Sequence, residues 1–366
     1  MTTLAPIHPN PPPLIHVRGS HRAMGQQLGE ALKLQIAHSR EIACGLIEHH
    51  ASGLNLTWEG AVTQAHKYLP YIQERYPQYV DELSGMAEGS GVPFGDLCVL
   101  TTFEAVTSDA LHLDKCTSMA VSGDLTTDGH VLVAHNEDWT PEDEQDVALV
   151  HASPDHEPPF LAMMYGGYLP NIGFNACGIA QCCDSVHPSD SRIGIPRIIV
   201  SRAVLGTRTI ADAIRCMLSP RRAAGYNHLL AHESGEIYCV EVSARRFAIL
   251  YAHEGYIVHT NHFIDAHLQA VEKNPDELLN TRVRYSRARN LIDLNEQHNI
   301  QSLHAIQQDH VNSPHAICNH AQDIENWNLR EKTICSLIID LTAHAMYIAW
   351  GNPCQNPYHT FFLETD

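Results

Sequence analysis

The chain is poor in basic residues, in long apolar runs and in any regular pattern of cysteines. Only 23 lysines and arginines stand against 42 aspartates and glutamates, a formal charge of −19. That balance argues against a nucleic-acid backbone and against an anionic membrane surface as partners. No stretch approaches the ~20 consecutive apolar residues that cross a bilayer. Residues 1–13 are polar and proline-rich and lack the apolar core of a secretory signal. The eleven cysteines are odd in number, irregularly spaced and include the adjacent pair Cys182-Cys183. Reduced thiols in a cytoplasmic protein are expected, not a disulfide framework. No internal repeat is present. What the 366 residues do offer is an ordinary globular composition, 44% hydrophobic and 18% charged, sufficient for one large core or two smaller ones.

The first 110 residues or so read as helical. Met24, Leu28, Leu32 and Ile36 recur at four-residue spacing, and Ala43, Leu46 and Ile47 continue the stripe, predicting a helix over 21–50. A second helix is expected over 61–76, kinked by Pro70, a third over 78–88 and a fourth over 94–106. From Cys116 onward the pattern changes to short apolar runs between turn residues. Strands are expected at 117–121, 130–135, 146–151, 160–165, 172–174 and 178–183. Two helices follow, at 196–205 and 210–218. Four strands then cover 227–233, 236–243, 247–253 and 256–260, with helices at 280–295 and 302–310. Three last strands cover 333–340, 345–350 and 360–363. This order fits an α+β fold, two stacked antiparallel sheets with helices outside, an αββα sandwich.

Four clusters of residues could carry chemistry. Cys116, in Asp114-Lys115-Cys116-Thr117-Ser118, stands directly before a strand. Were the preceding peptide bond cut, this residue would carry a thiol nucleophile and an α-amino base together. A free α-amine titrates near ~8 and a free thiol near ~8.5, so the amine can accept the thiol proton near neutral pH. On its own the cysteine is equally a buried structural thiol. His135-Asn136-Glu137-Asp138-Trp139 reads as a strand end, either a site lip or a solvated turn. Val258-His259-Thr260-Asn261-His262 ends a strand in an amide, a good neutral donor to an oxyanion. His259 and His262 as a metal pair is disfavoured, because odd offsets along a strand point to opposite faces and no zinc-like spacing stands nearby; no metal site is expected. Asn171 to Gly178 reads as a hairpin or plain turn.

In this order, these segments resemble the acyl-coenzyme A:6-aminopenicillanic acid acyltransferase family of N-terminal nucleophile (Ntn) hydrolases, over about residues 15–363. Arg18 to Gly25 with Gly29 is similar to the family's glycine signature. Glu74-Arg75-Tyr76-Pro77 through Glu82 to Gly89 is similar to its helical pro-segment. Cys116-Thr117 matches the nucleophile motif, Asn136-Glu137-Asp138-Trp139 the Asn-x-Asp-aromatic element, Gly173-Phe174-Asn175 with Gly178 the hairpin, and His259 to His262 the oxyanion strand. The resemblance implies an Ntn-type fold with a helical pro-segment at 1–115 and a catalytic part at 116–366. It implies a zymogen that cuts itself at Lys115–Cys116, with Cys116 as nucleophile and its α-amine as base. Asn261 would be the oxyanion donor, and Asp138 would orient the amine. Asn175, Thr117 and Asn319 would lie against the substrate.

The activity so implied is hydrolysis of a small N-acyl amide through a Cys116 thioester, without a cofactor. The alternative is N-acyl transfer with a coenzyme A thioester as co-substrate, for which Arg221-Arg222 and Arg245-Arg246 are the candidate phosphate partners. The cleaved fragments would remain associated as a heterodimer. Two departures point to a different alternative, an unprocessed, catalytically silent binding relative. Lys115 stands where the family has glycine, which slows or prevents an acyl shift through a strained backbone. Asn319 stands where relatives carry arginine, so Asp138 needs another partner, a histidine such as His135 or His320.

Overall fold

Side-chain alternation along the apolar runs after residue 116 builds two sheets, and helices cover both outer faces. The structure is a computed structural model and describes residues 7–50, 56–107, 116–322 and 330–364. Strand β1 (Leu14–Gly19) precedes helices α1 (His21–Ala31), α2 (Lys33–Gly45), α3 (Trp58–His66), α4 (Leu69–Arg75), α5 (Pro77–Ser90), α6 (Phe94–Thr101) and α7 (Phe103–Thr107). Strands β2 (Thr117–Val121), β3 (Leu132–Trp139), β4 (Val147–Pro154), β5 (Phe160–Tyr165), β6 (Ile172–Asn175) and β7 (Ile179–Asp184) follow. Helices α8 (Arg197–Leu205) and α9 (Ile210–Met217) lead to β8 (Tyr226–His232), β9 (Ile237–Val242), β10 (Phe247–Tyr251) and β11 (Tyr256–His259). The chain ends with α10 (Ala266–Gln269), α11 (Leu279–Asp293), α12 (Ile300–Gln307), β12 (Lys332–Asp340), β13 (Ala345–Trp350) and β14 (Tyr358–Phe362).

The larger sheet has the order β1-β4-β5-β6-β7-β8-β9-β10 and the smaller β11-β2-β3-β12-β13-β14. All pairings are antiparallel except β1 with β4, where Leu14 lies opposite Leu149 and Gly19 opposite Pro154. Strands β2 and β3 face β7 and β8 across the interior. Outside the smaller sheet, Ala288 and Ile292 of α11 and Leu303 and Ile306 of α12 cover Met119, Val121, Leu132 and Ala134. Helices α1–α9 and the larger sheet share one core with the inner face of the smaller sheet. The arrangement is the αββα sandwich.

Three local readings differ from the sequence. Among the described residues before Cys116 the elements are helices except for β1, which docks in parallel on the larger sheet. The stripe Met24, Leu28, Leu32, Ile36 is fully buried, yet the expected helix is interrupted at Leu32, which closes α1 by bonding back to the Leu28 carbonyl. Burial of each large apolar side chain is worth about 1.5–3 kcal/mol, so the stripe keeps its face across the break. Pro70 opens the new helix α4 and does not kink an old one.

The glycines of the N-terminal motifs have a packing role. A Cβ on Gly25 would lie 1.9 Å from the Glu82 carbonyl oxygen, and one on Gly85 would lie 2.1 Å from that of Arg22. Helices α1 and α5 therefore touch backbone to backbone. Beside this contact Arg202 of α8 donates to both Glu82 oxygens, at 3.1 and 3.0 Å, and His21 bonds the same carboxylate at 2.8 Å.

Candidate active site

Cys116 lies immediately before β2 and is 3% exposed. In β2 and β3 successive side chains leave opposite faces. Ser118, Ala120, Val133, His135 and Glu137 point between the sheets, whereas Thr117, Met119, Ala134, Asn136 and Asp138 point toward α11 and α12. The sequence reading placed His135–Trp139 beyond a strand end. Instead β3 runs through to Trp139, and all its residues are buried. Its polar side chains can sit there because partners wait on both faces.

The inner face carries a continuous polar chain. The Cys116 thiol donates to Glu137 Oε2 at 3.6 Å, and the same oxygen is 2.8 Å from His135 Nε2. Tyr165 donates to Glu137 Oε1 at 3.3 Å. His135 Nδ1 is 2.8 Å from the Ser118 hydroxyl, which donates to Asp184 Oδ1 at 2.7 Å. Ser118 has a single proton and gives it to Asp184, so His135 Nδ1 must be the donor to Ser118. His135 Nε2 and Glu137 then share one proton between them, directly beside the thiol. Asp184 Oδ2 accepts from Asn227 at 2.9 Å and lies 3.3 Å from His259 Nδ1. His259 Nε2 reaches Glu241 at 2.9 Å. The backbone N–H groups of Ile264 and Asp265 hold Glu241 at 2.6 and 3.0 Å. Burial alone would lower the His259 pKa, but Asp184 and Glu241 outweigh it and raise it to about 9. Burial likewise opposes the charge of Asp184, and His259 holds that carboxyl below its usual range.

The outer face is organised by Arg284 of α11, which is fully buried. Its Nη1 donates to the Cys116 carbonyl at 2.5 Å and to the Thr117 hydroxyl at 2.9 Å, and its Nη2 donates to Asn261 Oδ1 at 2.8 Å. Nε is fixed by Asn280 at 2.7 Å. With its oxygen held by Arg284, the Asn261 amide turns its NH₂ the other way, onto the Ser185 carbonyl at 3.1 Å. Burial lowers the Arg284 pKa, and the nearby Asp138 opposes that shift most strongly. Asp138 Oδ1 accepts the Thr333 hydroxyl at 2.6 Å. A bulge in β12 between Thr333 and Cys335 lies next to this contact.

The expected histidine partners of Asp138 require correction. His135 is on the opposite face of β3, and His320 lies beside Cys318 and Cys354, 3.6 and 3.3 Å from their sulfurs. Arg284 and Thr333 stand by Asp138 instead. The structure thus brings Cys116, Thr117, Asn261 and Asp138 around one guanidinium. Asn319 is near them only through Thr333, whose hydroxyl accepts its N–H at 3.0 Å, and its side chain donates to the Glu331 carbonyl at 3.1 Å. Asn175 is not brought in. Its amide donates to the Leu205 and Thr207 carbonyls at 3.0 and 2.7 Å, and its oxygen accepts from Cys177 and Ile179. That closes the β6–β7 hairpin against the α8–α9 connection. Lys115 lies outside the described residues. His259 and His262 bind different groups, His262 Nδ1 lying 2.9 Å from the Thr281 hydroxyl. Burial and the charges of His259, Arg282 and Arg284 depress the His262 pKa to about 3.

Arg284, Asp184 and Glu241 were not foreseen. A signal existed for Arg284, since 284, 288 and 292 share the four-residue spacing that puts Ala288 and Ile292 on the covered face of α11. The others stand as isolated polar residues within apolar strands. Donor atoms of Cys116, His135 and Glu137 also lie within 4.8 Å of one another and could hold a metal ion. Beyond Ser185 a cavity of about 350 Å³ opens, its walls including Glu104, Val186, Arg192, Arg197 and Lys273. Arg197 stacks 4.5 Å above the ring of Tyr226 and pairs with Glu104. Among the described residues, no helix is long and apolar enough to cross a membrane.

A family model described as acyl-coenzyme A:6-aminopenicillanic acid acyl-transferase matches residues 125–355. An Emericella nidulans acyl-coenzyme A:6-aminopenicillanic-acid-acyltransferase 40 kDa form is 23% identical over 356 residues, covering 96% of each chain. A Drosophila melanogaster beta-alanyl-dopamine/carcinine hydrolase is 25% identical over 226 residues, 56% of this chain and 57% of that protein. Among solved structures, penicillin V acylase from Agrobacterium tumefaciens aligns with a TM-score of 0.45 and 15% identity, over 64% of this chain and 83% of that one.

Proposed function

The chain belongs to the acyl-coenzyme A:6-aminopenicillanic acid acyl-transferase family, and from that premise we propose that it is a self-processing amidohydrolase that opens a small N-acyl amide through a thioester on Cys116. One observation carries the reading. The Cys116 thiol rests on Glu137, while the residue's own carbonyl is held by the arginine that also orients the Asn261 amide.

In the intact chain Cys116 has no free amine, so maturation needs another base. Glu137 takes the thiol proton, with His135 sharing the charge. The sulfur attacks the carbonyl carbon of Lys115, and the Asn261 NH₂ leaves the Ser185 carbonyl to bind the oxyanion. The C–N bond breaks, Glu137 returns the proton to the Cys116 nitrogen, and water hydrolyses the thioester. This yields a carboxylate on Lys115 and a free α-amine on Cys116. In the mature enzyme that amine takes over as base, with Asp138 orienting it from the outer face. The thiolate adds to the substrate carbonyl, Asn261 again holds the oxyanion, the amine protonates the departing nitrogen, and water releases the acyl group. The polar cavity beyond Ser185 receives the small amide. The helical segment 1–115 stays bound to 116–366 as a heterodimer. The eleven free cysteines favour a reducing, cytoplasmic setting.

Transfer involving coenzyme A is the second reading, and it rests on the full-length fungal relative. Arg222 weighs against it, because its guanidinium is spent on the carbonyls of Ser219, Ser243 and Arg246. Thioester turnover measured with and without an added amine separates the two.

The deciding experiment is intact mass. Wild type is expected as two fragments meeting at Lys115–Cys116. Cys116→Ala is expected as one full-length species without turnover. Glu137→Gln is expected to mature slowly, yet to turn over near-normally once cut. A full-length wild-type species that ignores a cysteine-directed electrophile would sink the reading and leave the silent alternative.

A further inference from the structure

A second thiol cluster lies where the loop after α12 meets the β13–β14 connection. His310 follows α12, Cys318 and His320 follow in the same loop, and Cys354 comes from the other connection. Their four donor atoms lie within 4.8 Å of one another. The two sulfurs are 3.6 Å apart, and the two imidazole Nε2 atoms are 3.0 Å apart. Nε2 of His320 is 3.6 Å from the Cys318 sulfur and 3.3 Å from the Cys354 sulfur. A zinc ion with bonds of about 2.3 Å to sulfur and about 2.0–2.1 Å to nitrogen has tetrahedral edges of about 3.8 Å (S···S), about 3.5 Å (S···N) and about 3.3 Å (N···N). The four observed edges match these to a few tenths of an ångström, and the two remaining ones, from His310 to the sulfurs, are within 4.8 Å.

We propose that His310, Cys318, His320 and Cys354 bind one Zn²⁺ ion in a closed, structural Cys₂His₂ site. Two thiolates and two imidazoles, with no carboxylate among them, suit zinc and reject magnesium and calcium. Four protein ligands complete the tetrahedron and leave no open position for catalysis. Binding displaces one proton from each thiol to solvent, giving a neutral Zn(S⁻)₂(His)₂ unit. The surroundings fit. The Asn352 amide nitrogen is 3.6 Å from the Cys318 sulfur and donates to the Asn319 carbonyl at 2.7 Å, the kind of outer hydrogen bond that steadies a zinc thiolate. The spacing His-x₇-Cys-x-His followed 34 residues later by Cys is no zinc-finger pattern, so the sequence suggested no metal.

The site has a purpose within the molecule. Between Cys318 and His320 sits Asn319, whose backbone pairs in both directions with Thr333, at 3.0 and 2.9 Å. Thr333 in turn holds Asp138. The ion would clamp the loop that pairs with Thr333, the residue whose hydroxyl Asp138 accepts. The inference stands independently of how Cys116 is read.

The test is metal analysis of the full chain, purified with a non-histidine tag and without chelator. The expected result is close to one zinc per chain. Cobalt replacement should give the visible bands of a tetrahedral ion and a near-ultraviolet thiolate charge-transfer band. Cys318→Ser should abolish binding, and because that buried position risks misfolding, the exposed His310→Asn serves as second variant and should weaken zinc at least about tenfold. Cys116→Ser should keep the metal, which separates this cluster from the Cys116–His135–Glu137 set. The proposal fails if the folded protein is metal-free and takes up no added zinc, if Cys318 and Cys354 are found joined as a disulfide, or if zinc follows Cys116 in place of Cys318.

Discussion

The two faces of β3 divide the labour of the site. On the inner face, His135 and Glu137 join a chain of polar groups in contact with one another, from the Cys116 thiol through Ser118 and Asp184 to His259 and Glu241. On the outer face, Asn136 and Asp138 are held by fixed hydrogen-bond partners. Asn136 gives its amide protons to the Gln307 and Ile317 carbonyls, both at 3.0 Å, and Arg284 spreads its fork over Cys116, Thr117 and Asn261. One face sets acids and histidines against one another, and the other sets amides, hydroxyls and carbonyls around a guanidinium. A strand with period two separates these demands within five residues.

The sharpest way to break this contrast is at Asn261, the proposed oxyanion donor, which Arg284 ties to the outer face. Asn261→Ala should lower kcat by about 10²–10³-fold, roughly 3–4 kcal/mol of lost oxyanion stabilisation. Near-normal kcat in steady-state assays would remove Asn261 from the mechanism. Next comes Arg284→Lys, which keeps the charge and loses the fork. It should cost about tenfold in kcat, roughly 1.4 kcal/mol, with KM little changed. No loss in Arg284→Lys would mean that charge, and not geometry, is what the outer face supplies.

The inner face is tested by pH. His259 titrates near 9 in the folded protein and near ~6.5 unfolded. Its contribution to stability is therefore complete below pH ~6.5 and is lost as pH rises through about 9. Tm followed by calorimetry should fall over that window, and less steeply in His259→Gln. Some slope will remain, because His21 behaves alike. Burial lowers its pKa, but Glu157 and Glu82 raise it to about 9. An unchanged slope in His259→Gln would mean that the imidazole carries no charge there.

Much of the fold was legible because apolar runs of five or six residues between turn residues can do little else than pair. Strands at 117–121, 160–165 and 345–350 were read to the residue. β1 was lost because His16 and Arg18 leave too little apolar alternation in a six-residue edge strand, and its parallel partner lies 135 residues away in sequence. The end of β3 was lost because a polar run looks like a loop until its buried partners are known. Within the site, Cys116, Asp138 and Asn261 stood out by residue type and order. Arg284 did not, since Arg282, Arg287 and Arg289 surround it and only packing tells which arginine turns inward. The His310–Cys354 cluster was illegible for a plainer reason, as two loops far apart in sequence make it.

The backbone contact of α1 on α5, together with β1 seated in the larger sheet, has a consequence for the history of the molecule. The described residues of 7–107 contribute to the same interior as the strands that follow them, so the two parts are halves of one folding unit. While the chain is continuous, collapse is unimolecular, and its speed does not depend on dilution. A scission before Cys116 would turn the same reaction into an encounter between two polypeptides. The native arrangement would then be reached once, at synthesis, and afterwards persist by the slowness of its unfolding.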